Sequence, residues 1–306
     1  MPTRRDFLAA SATLAAGLGC MSVSGNAFAQ PASAMLSRKI PASGEALAVI
    51  GAGTSGSFEV DTDTAQFQQL KQVLKVFFAG GGQVIDTSPN YGGADAVLGQ
   101  LLEEGGWRKQ TFLATKIAAD SQAEAQAQWA GTLRSLRTDK VELLQVHNLR
   151  DWQRQLPYAR ELKAQGLTRY VGVTHYMDSG LDELERILRQ ESLDFIQVHY
   201  SVNAPGCAQT VLPLAQDKGV AVLINRAFDD GRLFAKVKDQ PLPGWATEAG
   251  IGSWAQLFLK FAISHPAVTT VIPATGRPDR QLDQLKAGSG PLLTAAQSKQ
   301  LVAQFA

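Results

Sequence analysis

Three features of the sequence predict one α/β domain folded as a closed (β/α)8 TIM barrel. Short β-branched or aliphatic runs alternate with longer stretches of helical periodicity, eight times over. From the second run onward most starts lie roughly 25–30 residues apart, the length of a strand plus a crossover helix. No proline-rich linker or break in composition divides the chain after residue 30. Parallel strands with right-handed crossovers account for the alternation, and about 250 residues suffice for eight such units. A doubly wound open sheet fits the same alternation and is the competing architecture.

The opening residues are set apart from the barrel. Thr3-Arg4-Arg5-Asp6-Phe7-Leu8 leads into an apolar run from Ala9 to Gly19, and Ala27-Phe28-Ala29 stands before Gln30. This is the layout of a cleavable export signal over residues 1–29, and residues 30–306 are then the single barrel domain. Paired arginines ahead of Phe-Leu resemble a twin-arginine leader, which is read by its export machinery and delivers folded cargo. The plainer alternative is an amphipathic N-terminal helix. The apolar run is short against a hydrocarbon core of about 30 Å, so no permanent membrane anchor is expected. The expected location is the bacterial periplasm.

The strands are expected at Leu47–Thr54, Val84–Ser88, Thr111–Ile117, Val141–Asn148, Tyr170–Tyr176, Phe195–Ser201, Val220–Arg226 and Val268–Thr275. Each is a short, nearly continuous apolar run, as a strand covered on both faces requires. Helical periodicity fills the gaps, for example at Gln66–Ala79, Gln122–Arg137, Gly180–Arg189 and Ser253–Ser264. Residues 227–250, with Gly231, Pro241, Pro243, Gly244 and Trp245, read as the longest irregular connection. In a barrel that loop follows the seventh strand on the functional face.

Composition removes several function classes. The net charge of +1 offers no broad basic field for nucleic acid. Cys20 and Cys207 are the only cysteines, so there is no disulfide framework. His147, His175, His199 and His265 lack ligand spacing, so no metal site is expected. No Gly-x-Ser-x-Gly elbow or Walker A loop is present.

Gly51-Ala52-Gly53-Thr54-Ser55-Gly56 does match G-x-G-x-x-G after an apolar run. A dinucleotide fingerprint needs a helix opening inside the motif and an acid about 20 residues on. Here a polar stretch, Ser57 to Asp63, follows, and the next acid at a strand end is Asp86. A tight strand-to-loop turn is the better reading.

Four ionisable residues fall at or just beyond the C-terminal ends of successive strands: Asp86 in VIDTSPNYG, Tyr91, Lys116 in LATK and His147 in LLQVHN. Singly each has a bland explanation: a turn cap, a packed ring, a surface ion pair, a satisfied core histidine. Together they would converge on one mouth of a parallel barrel.

At these residues the chain resembles the aldo-keto reductase family, and the resemblance runs from Gly51-Ala52-Gly53-Thr54 to Val271-Ile272-Pro273. It implies nicotinamide-dependent reduction of a small-molecule aldehyde or ketone. Tyr91 would be the general acid, activated by Lys116 and Asp86. His147 would orient the substrate oxygen. A free tyrosine titrates near 10, and a neighbouring ammonium lowers that value. The resemblance also implies cofactor contacts: Gly53 and Thr54 at the first strand, and Thr174, His175 and Gln197 around the nicotinamide amide. Asn225 stands where a stacking tyrosine is usual, and Arg226 beside the pyrophosphate, where it could supply charge to the phosphates or equally form a surface salt bridge. In Ala274-Thr275-Gly276-Arg277-Pro278-Asp279-Arg280, Thr275 and Arg280 would grip a 2′-phosphate, with Gln284 near adenine. Ala274 replaces a lysine frequent in NADP-specific members, so NADP(H) is expected with NAD(H) still open. Phe58, Trp152, Tyr176 and Phe228 follow strands where pocket walls should form, and ordinary loop packing accounts for them equally well. The competing functions are a Rossmann-type oxidoreductase and a non-catalytic, cofactor-binding regulatory subunit on the same barrel.

Overall fold

The computed structural model describes residues 34–305. The expected export signal at 1–29 lies outside the described residues. A hairpin comes first, β1 (Ser37–Lys39) antiparallel to β2 (Ala46–Ala48). Eight parallel strands follow: β3 (Ala52–Gly53), β4 (Val84–Asp86), β5 (Phe112–Ile117), β6 (Val141–Val146), β7 (Thr168–Thr174), β8 (Phe195–His199), β9 (Ala221–Asn225) and β10 (Thr270–Val271). They pair in sequence order, and β10 returns to β3. Gly51 N donates to Val271 O at 2.8 Å, Val271 N to Val49 O at 3.0 Å, and Gly53 N to Pro273 O at 2.9 Å. The sheet therefore closes into the (β/α)8 barrel, and the open doubly wound sheet is excluded.

Helices cover the outside, chiefly α1 (Ala65–Ala79), α2 (Ala94–Gly105), α3 (Gln122–Ser135), α4 (Trp152–Ala164), α5 (Leu181–Gln190) and α6 (Val211–Asp217). Side-chain oxygens of Thr64 and Ser121 accept from the first-turn amides of α1 and α3, satisfying donors that a helix start leaves free. A large core lies between sheet and helices, and a smaller one fills the barrel. At the N-terminal end of the barrel Phe112, Tyr170 and Phe195 pack with ring centroids 5.4–5.8 Å apart. Ile40 and Leu47 of the hairpin segment join them, and Tyr170 Oη donates to Ser43 Oγ at 2.7 Å. That end is plugged, so access is from the C-terminal end.

Two expectations change. The run at residues 47–54 is two elements, because Ala46–Ala48 pairs with β1 before Ala52–Gly53 enters the barrel. At the crossing a Cβ on Gly51 would stand 2.9 Å from Val84 O, so only glycine fits. The loop at 227–250 is not irregular throughout, since it holds α7 (Arg232–Lys236) and α8 (Gly244–Glu248). After α9 (Trp254–Ser264) and β10 come α10 (Pro278–Lys286) and α11 (Ala295–Phe305). Among the described residues, no helix is long and apolar enough to cross a membrane.

The Rossmann reading of Gly51–Gly56 fails on local geometry. Ser57 N and Phe58 N both donate to Thr54 O, at 3.1 and 3.0 Å, closing a turn. The next helix starts only at Ala65, so the motif does not open into a helix.

Candidate active site

A cavity of about 850 Å³ opens at the C-terminal mouth of the barrel. Asp86, at the end of β4, Tyr91, on the loop after it, and His147, directly after β6, all border it. Lys116 of β5 lies beneath them, 1% exposed. The staggered ends of parallel strands bring these side chains together although they come from three strands and a loop.

Lys116 Nζ donates to Asp86 Oδ2 at 2.5 Å and to Thr87 O at 2.8 Å, and sits 5.0 Å from the Tyr91 ring centroid. The other Asp86 oxygen accepts from Gln145 Nε2 at 3.0 Å and Gln197 Nε2 at 2.8 Å. A buried charge pair with its remaining lone pairs satisfied in this way holds its geometry. Burial pulls the Lys116 ammonium down, but Asp86 and Tyr91 outweigh it and the group is held above its ordinary value.

Tyr91 departs from expectation. Burial is the largest influence and raises the phenol; Lys116 pulls it down, while Asp86 and Asp95 push it up. The net direction is upward, although Lys116 acts on the phenol in the expected sense. In this structure Lys116 lowers the value only part of the way back and Asp86 works against it. The phenol is protonated at neutral pH, the form a proton donor needs.

His147 is pushed down to about 3 by burial and by the charges of Lys116 and His175. Its imidazole is neutral, and its edge meets the Tyr91 ring with centroids 5.8 Å apart. Ser88 Oγ lies 3.2 Å from His147 Nδ1 and itself accepts from Asn90 N at 3.3 Å. With the serine proton donated to Nδ1, the ring proton is on Nε2 and available to a substrate oxygen. Asn148, next in the chain, takes φ 54° and turns the backbone at the rim. Ser88 and Gln145 carry no sequence signal of a role. Each stands in or beside a strand, and only the fold shows what it touches.

Residues 49–303 match the Aldo/keto reductase family. The chain belongs to this family. It is 27% identical over 175 residues to Aldo-keto reductase YhdN of Bacillus subtilis (strain 168), covering 52% of each protein. It is 24% identical over 197 residues to NADH-specific methylglyoxal reductase of Escherichia coli (strain K12), covering 54% of this chain and 58% of that one. In these matches the chain spans a little over half the length of the curated relatives. The solved aldo/keto reductase from Klebsiella pneumoniae in complex with NADP and acetate is 26% identical. It superposes with a TM-score of 0.72 over 86% of this chain and 93% of that chain.

Against the contacts that the family suggests for a nicotinamide cofactor, the cavity is bordered by Gly53, Thr54, Thr174, Gln197, Asn225, Arg226 and Arg280. His175, Thr275 and Gln284 do not border it. The His175 ring folds over its own loop, where Nδ1 accepts from Met177 N at 3.2 Å and the ring stacks on Tyr176. Thr275 Oγ1 accepts from Arg277 N at 3.2 Å, and Gln284 is buried in α10.

Gln197 is saturated: its amide donates to Asp86 and Gln145 and accepts from Thr174 and Asn225. Arg226 borders the cavity and is ion-paired there. Its guanidinium donates to Asp229 Oδ1 at 3.2 Å, Asp230 Oδ2 at 2.6 Å and Tyr176 O at 3.0 Å. Its charge is matched by carboxylates, and it ties the loops after β7 and β9 together. Arg277 is likewise paired, with Asp279 at 2.7 Å.

Two features do fit the cofactor. Asn225 borders the cavity with its Oδ1 unpartnered. Arg280 borders it with no ion-pair partner among the described residues. Of the expected pocket walls, Tyr176 and Phe228 border the cavity. Phe58 and Trp152 instead pack in the core, the latter donating from Nε1 to Glu183 Oε1 at 2.7 Å.

Proposed function

We propose that this chain is a nicotinamide-dependent oxidoreductase that reduces a small-molecule aldehyde or ketone to an alcohol. The observation that carries the reading is the buried Lys116–Asp86 pair below the Tyr91 ring, at the floor of a cavity that His147 also borders. A bound reduced nicotinamide supplies the hydride that the carbonyl carbon receives. Everything else is the work of the chain. His147 Nε2–H donates to the carbonyl oxygen and orients it. Tyr91, still protonated, gives that oxygen its proton as negative charge gathers there. Lys116 stabilises the phenolate left behind, and Asp86 keeps Lys116 in place.

Arg280 is the cation available to a 2′-phosphate, so NADP(H) is the cofactor of choice in this reading. The NADP complex of the Klebsiella relative supports that choice, and the name of the NADH-specific Escherichia coli relative makes NADH the comparison to run. From the sequence of residues 1–29 we also propose export by the twin-arginine route.

The deciding assay follows NADPH absorbance with a panel of aldehydes and activated ketones, for the wild type and for Tyr91→Phe. Loss of a positioned general acid costs about 10²–10⁴-fold in turnover, and NADPH affinity should stay within a factor of a few. Unchanged turnover in Tyr91→Phe, with chemistry rate-limiting, refutes the assignment. A wild type that binds NADPH and turns over no carbonyl favours the regulatory-subunit reading.

A further inference from the structure

A second carboxyl stands behind the Lys116–Asp86 pair. Asp95, in the first turn of α2, is 5% exposed. Its Oδ1 accepts from Thr87 Oγ1 at 2.5 Å, and Thr87 Oγ1 accepts from Thr54 Oγ1 at 2.9 Å. Thr54 and Thr87 are fully buried, so this chain of hydroxyls runs from the cavity wall into the protein without solvent. Asp95 Oδ2 has no hydrogen-bond partner among the described residues. A carboxylate oxygen left unpaired in the interior is costly, and the fold keeps one here.

The position of Thr87 explains why this matters. Its backbone carbonyl is an acceptor of Lys116 Nζ, and its side chain is clamped between Thr54 and Asp95. Asp95 also belongs to the helix that opens directly after Tyr91, where Ala94 N donates to Tyr91 O at 2.7 Å. One side chain thus links β4, which seats the ammonium, to the start of α2, which seats the phenol.

We propose that Asp95 is a positioning residue of this site, joining Lys116 and Tyr91 through Thr87 and setting the charge against which Tyr91 releases its proton. The positioning half rests on the reductase reading; the electrostatic half does not. The charges that act on Asp95 come from Lys116 on β5 and Asp86 on β4, and its own acts on Tyr91 of the loop. His147 lies beyond Tyr91. Lys71 of α1 and Arg137 beyond α3 meet α2 at its far end, on Glu104 and Glu103. The cluster holds two carboxyls against one ammonium. Burial holds Asp95 above the usual carboxylate range, more than the Thr87 bond and Lys116 pull it down. Its charge pushes Tyr91 up.

The test uses the full chain without cofactor, with Tyr91→3-fluorotyrosine followed by fluorine NMR through a pH titration. Adding Asp95→Asn keeps an acceptor for Thr87 and removes the charge, so the midpoint should fall by about one pH unit. An unmoved midpoint overturns the electrostatic half whether or not the protein turns over a carbonyl. The positioning half is read from Thr87→Val, which should lower kcat at least tenfold with KM within a factor of two. Thr87→Ser, which restores the hydroxyl, should recover most of it. Wild-type kcat in Thr87→Val, or no recovery in a folded Thr87→Ser, overturns that half. If the wild type proves inactive on every carbonyl, the reductase reading fails while the fluorine titration still decides whether Asp95 acts on Tyr91.

Discussion

Asp86 Oδ2 and Lys116 Nζ lie 2.5 Å apart, each side chain all but closed to solvent. An ion pair in this setting is better judged by the cost of breaking it than by its net worth. Asp86→Asn strands a buried ammonium and should destabilise the fold by about 3–5 kcal/mol. Lys116→Met strands the carboxylate and should do the same. The double variant removes both charges, so its loss should fall well short of the sum, with a coupling of about 1–3 kcal/mol. Urea unfolding of the four proteins checks this. Additive losses would show that the two groups act separately.

His147 gives a stability signature as well as a mechanistic one. Its folded value, about 3, lies below the unfolded value near 6.5. Between those limits the unfolded state carries the extra proton, so stability is fully present above pH 6.5 and falls as the pH drops. The expected slope is about 1.4 kcal/mol per pH unit across that window. His147→Gln should flatten the fall between pH 6.5 and 4.5 in parallel urea titrations. Parallel curves for the two proteins would show that His147 titrates normally.

Arg280 and Arg277 lie three residues apart and should behave differently. Arg277 is bound to Asp279, while Arg280 borders the cavity with no ion-pair partner among the described residues. Arg280→Ala should weaken NADPH by roughly 10–100-fold, the range of a lost charge-assisted hydrogen bond, and hardly change NADH. Arg277→Ala should leave both within a factor of about two. Fluorescence titration of the two cofactors against the two variants separates the roles. Equal losses of NADPH and NADH at Arg280 would make it a support of the loop.

The proposed leader has its own test. Arg4→Lys with Arg5→Lys conserves charge, so only a receptor that reads the arginine pair will reject it. Uncleaved protein retained in the cytoplasmic fraction is the expected result. Normal export of the double-lysine form would mean a general secretory signal.

The barrel is legible in the sequence. Strands covered on both faces leave continuous apolar runs such as Phe112–Ile117, and their spacing counts the crossovers. Asp86, Lys116 and His147 were legible for a related reason, because each ends or follows a run, and parallel strands bring those ends to one mouth. Tertiary structure decided the partners. It paired Arg226 with Asp229 and Asp230 and left Arg280 without an ion-pair partner among the described residues. It turned the glycine motif into a barrel seam, bent His175 out of the cavity and placed Ser88 against His147. It also buried Tyr91 deeply enough to outweigh its ammonium neighbour. Hydrogen bonding and desolvation depend on through-space distances between residues that are often thirty or more positions apart. Periodicity records which face a side chain takes but carries no record of the atom it meets there.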